Sequence, residues 1–127
     1  MIRFNVCRII TICIILFLTG CTSMNPIDPR VTIIDDPFFS DLIITEVKTT
    51  PHYGDFMEVQ VTGRNDTSTY HKLEYKIEWL DNNEMLIPSV MSGWTKFPGF
   101  ENSEFRFKAV APTMSATDFR IKIRREN

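Results

Sequence analysis

The chain has 127 residues, 43% of them hydrophobic and 12% aromatic, with a formal charge of −2. That is enough apolar material for one small domain and too little length for two. The near-neutral balance argues against a nucleic-acid binder, which carries a strong excess of Lys and Arg. Three cysteines first suggest one disulfide and a spare thiol.

The N-terminus changes that reading. Arg3 and Arg8 are followed by an uninterrupted apolar run over residues 9–18, then by Thr19 and Gly20. A basic region, a short apolar core and small residues form a secretory signal peptide over residues 1–20. The apolar run is half of the roughly 20 residues that cross a bilayer core, so a retained transmembrane anchor is the competing reading. Leu18, Thr19, Gly20 and Cys21 resemble the lipobox of bacterial lipoproteins. The resemblance implies cleavage before Cys21, and diacylglycerol and N-acyl (palmitate-type) chains on that cysteine in place of any other cofactor. Thr22 is not the Asp that commonly retains such proteins at the inner membrane. The implied location is therefore the periplasmic face of the outer membrane. Cys7 and Cys13 leave with the leader and Cys21 is consumed by lipid, so no internal disulfide is expected in the 107 residues that follow. With two arginines and no acid removed, their net charge falls to −4.

Residues 21–36 hold Pro26 and Pro29 and no apolar period, and read as a linker. The domain is expected over 37–127. Period-two alternation is clearest over 72–80, where Leu73, Tyr75, Ile77 and Trp79 alternate with Lys72, Glu74, Lys76 and Glu78. Residues 42–48, 57–61, 105–109 and 119–123 alternate in the same way, and 31–34 and 85–87 more weakly. Turn residues separate them at 51–55, 63–68, 81–83, 98–103 and 112–118. No segment between them has the helical period. Six or seven short strands at this spacing predict an all-β, immunoglobulin-like antiparallel sandwich, with a closed barrel as the alternative.

Tyr75-x-x-x-Trp79-x-Asp81, then Trp94, Gly99, Ala111-Pro112 and Ala116-x-x-Phe119-Arg120-Ile121, in that order, resemble the YcfL-like family of small bacterial lipoproteins. The resemblance covers roughly residues 55–124 and implies an immunoglobulin-like domain on a lipid anchor, without a known biochemical activity. Glu84 stands where a turn glycine is common in that family, and Met114 where a second proline often follows Ala111-Pro112. Both departures fall in turns.

Candidate chemistry is sparse. His52 and His71 stand alone, outside any ligand spacing, and Asp81, Asn82, Asn83 and Glu84 lack the pattern of a calcium loop, so no metal is expected. The serines lie in no nucleophile motif, which leaves a hydrolase a poor reading. A carboxylate pair drawn from Asp35, Asp36, Glu58 and Glu101 would be the minimum for a glycosidase, and solvated acids near turns explain the same residues. A glycan or small-ligand carrier would need an apolar cavity between the sheets, where a filled interior is expected.

Two features offer a surface to a partner in the envelope, an envelope protein or, for the basic one, any anionic partner such as a lipid phosphate, a peptidoglycan carboxylate or an acidic protein face. Arg106 and Lys108 on one strand and Arg120, Lys122 and Arg124 on the last would form a basic stripe if those strands pair; Glu74 and Glu78 on a neighbouring strand would turn it into a solvated charge ladder. Trp94, Phe97 and Phe100 around Pro98 and Gly99 read as an aromatic loop, which either caps the sandwich or binds a partner. The expectation is a non-enzymatic interaction or assembly module.

Overall fold

A computed structural model describes residues 28–34, 42–51 and 54–126. The expected signal peptide, the Leu18–Thr19–Gly20–Cys21 tetrapeptide, Asp35, Asp36 and His52 lie outside the described residues. Seven strands form two sheets: β1 (Val31–Ile33), β2 (Leu42–Pro51), β3 (Met57–Asn65), β4 (His71–Leu80), β5 (Thr95–Gly99), β6 (Ser103–Val110) and β7 (Asp118–Arg125). Sheet A has the order β1-β7-β4-β5 and sheet B the order β2-β3-β6. All pairings are antiparallel except β1 with β7. The result is an immunoglobulin-like all-β sandwich, as the alternation predicts.

The alternating residues meet between the sheets. Leu73, Ile77 and Trp79 of β4 and Phe119, Ile121 and Ile123 of β7 are buried against Val59 and Val61 of β3 and Phe105 and Phe107 of β6. Aromatic rings bridge the layers: Tyr75 stacks on Phe107 at 4.0 Å with 7° between planes, and Phe97 lies 5.0 Å from Phe107 and 5.1 Å from Phe105. The space where a carrier would hold a ligand is occupied by these side chains. In sheet B, the register of β2 slips between Ile44 and Glu46, a bulge that twists an exposed edge and protects it from adding another strand.

Four expectations need correction. First, β6 and β7 do not pair, because the chain changes sheets between them: β6 joins β3, and β7 lies between β1 and β4. Second, residues 95–99 are not an aromatic loop but strand β5, paired with His71 to Tyr75, with Phe97 turned into the core. Third, residues 63–65, read as a turn, complete β3, while 85–87 make only an isolated bridge, Leu80 to Leu86. Fourth, part of the expected linker is in the sandwich, since Val31, Thr32 and Ile33 pair with Ile121, Lys122 and Ile123. Ile121 N–H also donates to Arg30 O.

The sandwich has two unlike ends. At one, the chain enters through Arg30, the β2-β3 hairpin turns through Gly54 and Asp55 at positive φ, and Thr117 N–H, at the end of the 111–117 loop, donates to Leu80 O next to the 81–84 turn. At the other, the β3-β4 loop (66–70) meets the β5-β6 turn (100–102), where Asn102 N–H donates to Thr67 O.

Candidate interaction surface

The charged residues of the predicted stripe occupy the outer faces of different sheets. On sheet B, Arg106 pairs with Glu104 at 3.0 Å and Lys108 with Glu58 at 3.3 Å. On sheet A, Lys122 Nζ donates to Glu78 at 3.1 Å and Arg124 Nε to Glu74 at 3.0 Å. The register makes this ladder, setting Arg124 opposite Glu74 and Arg120 opposite Glu78. Glu74 is only 7% exposed although it faces outward, and a charge so covered requires partners. It has Arg124, with Lys96 opposite it on β5. The Trp94 ring closes the site, with Arg124 Cζ 3.8 Å from its centroid. The Lys96 ammonium in turn bonds the Glu126 carboxylate, which raises the pKa of Lys96 and lowers that of Glu126.

Of the three aromatic residues predicted as a patch, Trp94 therefore covers an ion pair, Phe97 belongs to the core and Phe100 alone is exposed, at 57%. Phe100 has a companion that periodicity did not reveal. Tyr70, from the β3-β4 loop, packs on it with centroids 5.4 Å apart, leaving both rings open to solvent.

Asn65 holds these two loops together. Its side chain is buried, and Nδ2 donates to Thr69 O and Gly99 O, both at 3.0 Å. Its Oδ1 accepts from Thr67 N–H and from the Thr67 hydroxyl. That hydroxyl also lies 3.2 Å from His71 Nε2. Arg64 adds a bond from Nη2 to Asn102 O and an ion pair with Asp66. An aromatic pair on a hydrogen-bonded platform offers contact area at little further cost in side-chain or loop entropy. Asn65 escaped sequence reading because a buried amide inside a run of turn-forming residues looks like the turn itself.

At the opposite end, Asp81 Oδ1 accepts from Asn83 and Met85 N–H, and Asp81 N–H donates to Met85 O. The polar run 81–84 thus closes a turn around the Asp81 carboxylate, which backbone N–H groups occupy. Among the described residues, no group of three or more His, Cys, Asp or Glu side chains is placed to hold a metal. Arg30 forms a fork with the Asp28 carboxylate, reaches Asp118 at 3.6 Å and lies 4.3 Å over the Phe119 ring. Its hydrogen bonds lower the pKa of Asp28, and the same contacts raise that of Arg30. Surface depressions of about 310 and 330 Å³ flank Phe56 and Ile87 respectively.

Comparison with known proteins supports the fold and the extent of the domain. Campylobacter jejuni cj0090 superposes with a TM-score of 0.65 at 17% identity, over 78% of this chain and all of that one. A family member from Shewanella sp. pv-4 superposes with a TM-score of 0.62 at 22% identity, over 72% of this chain and 84% of that one. No curated protein matches the sequence. The family model of proteins of unknown function DUF1425 matches residues 30–125, which run from the Arg30 entry to the last residue of β7. The chain belongs to that family, DUF1425.

Proposed function

We propose that this DUF1425 member is a YcfL-like lipoprotein, anchored at the periplasmic face of the outer membrane and acting there as a non-enzymatic interaction or assembly module. The observation that carries the reading is the Leu18-Thr19-Gly20-Cys21 sequence directly after an apolar run behind Arg3 and Arg8. Its position meets both requirements of lipoprotein processing, an export signal and a lipidatable thiol. One acyl chain holds a protein only marginally, so the two or three chains of such an anchor are what would keep it at the membrane.

The Tyr70–Phe100 pair is the surface best suited to a partner. It is exposed, large and fixed by the Asn65 bonds, whereas Lys122 and Arg124 of the predicted basic stripe are engaged with Glu78 and Glu74. The partner is an envelope protein that places an apolar side chain against these rings.

Radiolabelled palmitate and cell fractionation test the anchor. The natural chain should take up label and sediment with outer membranes, while Cys21→Ser should lose both label and sedimentation. A Cys21→Ser chain of native processed size that stays in the membrane fraction would overturn the reading. A photocrosslinking residue at position 100 should then capture one protein that the same residue at position 106 does not.

A further inference from the structure

We infer that the end of the sandwich where the chain enters rests on the phospholipid surface, with Met85, Leu86 and Met114 dipping into it. This rests on the lipid-anchor reading and adds an orientation to it. Cys21 is seven residues from Asp28, a reach of at most about 25 Å even when fully extended. The chain then joins sheet A at Arg30, beside Asp118 and the start of β7. An anchored Cys21 therefore keeps this end near the bilayer.

The surface there differs from the rest of the domain. The two longest uncharged runs of the sandwich, residues 85–95 and 109–117, both reach this end. They meet around Leu80: Thr117 N–H donates to Leu80 O, and Leu86 forms a bridge with Leu80. Met85 is 64% exposed, Leu86 62% and Met114 64%, so three large apolar side chains project where folding has given them no cover. The runs continue up the sides with exposed Val90, Met91 and Val110. Of the nearby acids, Asp81 accepts from two backbone N–H groups and Asp118 from Phe119 N–H, while the exposed Glu84 shares a depression with Arg30 and Arg120, cations that suit an anionic headgroup layer. Both ends carry charges, Arg64, Asp66, Lys72, Glu101 and Glu104 at the far one and Asp28, Arg30, Asp55, Glu84 and Asp118 at this one; what sets this end apart is the group of exposed apolar side chains among them. A short leash makes even a weak apolar contact effective, because it holds the local bilayer at high effective concentration.

The test uses the full lipidated protein in vesicles of phosphatidylethanolamine and phosphatidylglycerol. Single cysteines are introduced by Leu86→Cys, Met114→Cys or, at the far end, Glu101→Cys, with Met85→Cys as a second reporter should Leu86→Cys fold poorly. Each carries an environment-sensitive fluorophore and is quenched by spin-labelled lipid. Quenching at 86 and 114 at least twofold above that at 101 supports the orientation. Protein that floats with the vesicles but is quenched equally at all sites, or not at all, overturns this inference alone. Protection from an aqueous quencher without quenching by lipid also overturns it, since a partner protein or second copy then covers the site. Protein that does not float with the vesicles overturns the anchor reading together with the inference.

Discussion

Gly63 lies directly under the ring of Phe105: a Cβ on that glycine would stand 2.3 Å from Cζ of the ring and 2.8 Å from Ile43 O. The two residues are register partners on β3 and β6, so the ring folds across the partner strand where no side chain opposes it. A backbone oxygen on the other side leaves no direction in which a methyl group escapes. Gly63→Ala should therefore cost about 1–3 kcal/mol through overpacking. Urea denaturation would show a lower midpoint with an unchanged slope; an unchanged midpoint would mean that Phe105 has another rotamer available.

The same pair shows where sequence reading works and where it stops. Alternation of Leu73, Tyr75, Ile77 and Trp79 identified β4 because one face of that strand is apolar and packs into the core while the other carries charged residues. Gly63, Arg64 and Asn65 looked like a turn because their residue types favour turns, yet tertiary contacts require each of them inside or at the end of a strand: Gly63 for the Phe105 ring, Arg64 for Asn102 O and Asn65 for Gly99 O. Pro98 and Gly99 hid β5 in a similar way. Pro98 sits on a five-residue strand at one side of sheet A, where a missing N–H is tolerated, and Gly99 leaves room for Leu73, whose Cδ1 would be 2.7 Å from an added Cβ. Strand order was out of reach because alternation reports which face is buried, not which sheet a strand joins. The Glu74–Arg124 and Glu78–Lys122 pairs were for that reason legible only as one of two readings of the same charges, since they depend on β4 and β7 being neighbours.

Asn65 should be the most sensitive polar residue at the aromatic end. Replacement by Ala removes the donor to Thr69 O and Gly99 O and the acceptor for Thr67, leaving buried groups without partners. Loss of about 2–3 kcal/mol is expected. Amide exchange should accelerate at Thr67 and Asn102, whose bond to each other joins the loops, before it does at Ile77 or Ile121. Equal acceleration throughout would assign Asn65 to global stability and not to the platform under Tyr70 and Phe100.

The Asp28–Arg30 pair gives the entry of the chain a pH dependence. Hydrogen bonding to Arg30 holds the folded-state pKa of Asp28 below its usual 3.8. The pair's contribution is thus complete above the unfolded value and is lost as pH falls through the lower folded value. Side chains 37% and 21% exposed limit it to about 1 kcal/mol or less. Thermal melts of the natural chain and Asp28→Asn should differ by a constant amount above about pH 5 and converge toward pH 2. A gap that persists at pH 2 would trace the effect to packing instead of charge.

Glu84 offers the opposite sign of change. It sits at φ 61° in the turn that Asp81 closes, a left-handed conformation that costs an L-residue about 1–2 kcal/mol and glycine almost nothing. Its side chain is exposed, and the bond from its N–H to Asp81 O uses only backbone on the Glu84 side, so glycine preserves it. The added freedom of glycine in the unfolded chain offsets part of the gain. Glu84→Gly should therefore stabilise the sandwich by about 0.5–1 kcal/mol, while Glu84→Ala, which keeps the Cβ, should leave the melting temperature nearly unchanged. Equal effects of the two substitutions would point to the loss of the carboxylate, close to Arg30 and Arg120 around the entry depression, as the cause. A rise confined to glycine assigns the strain to the backbone.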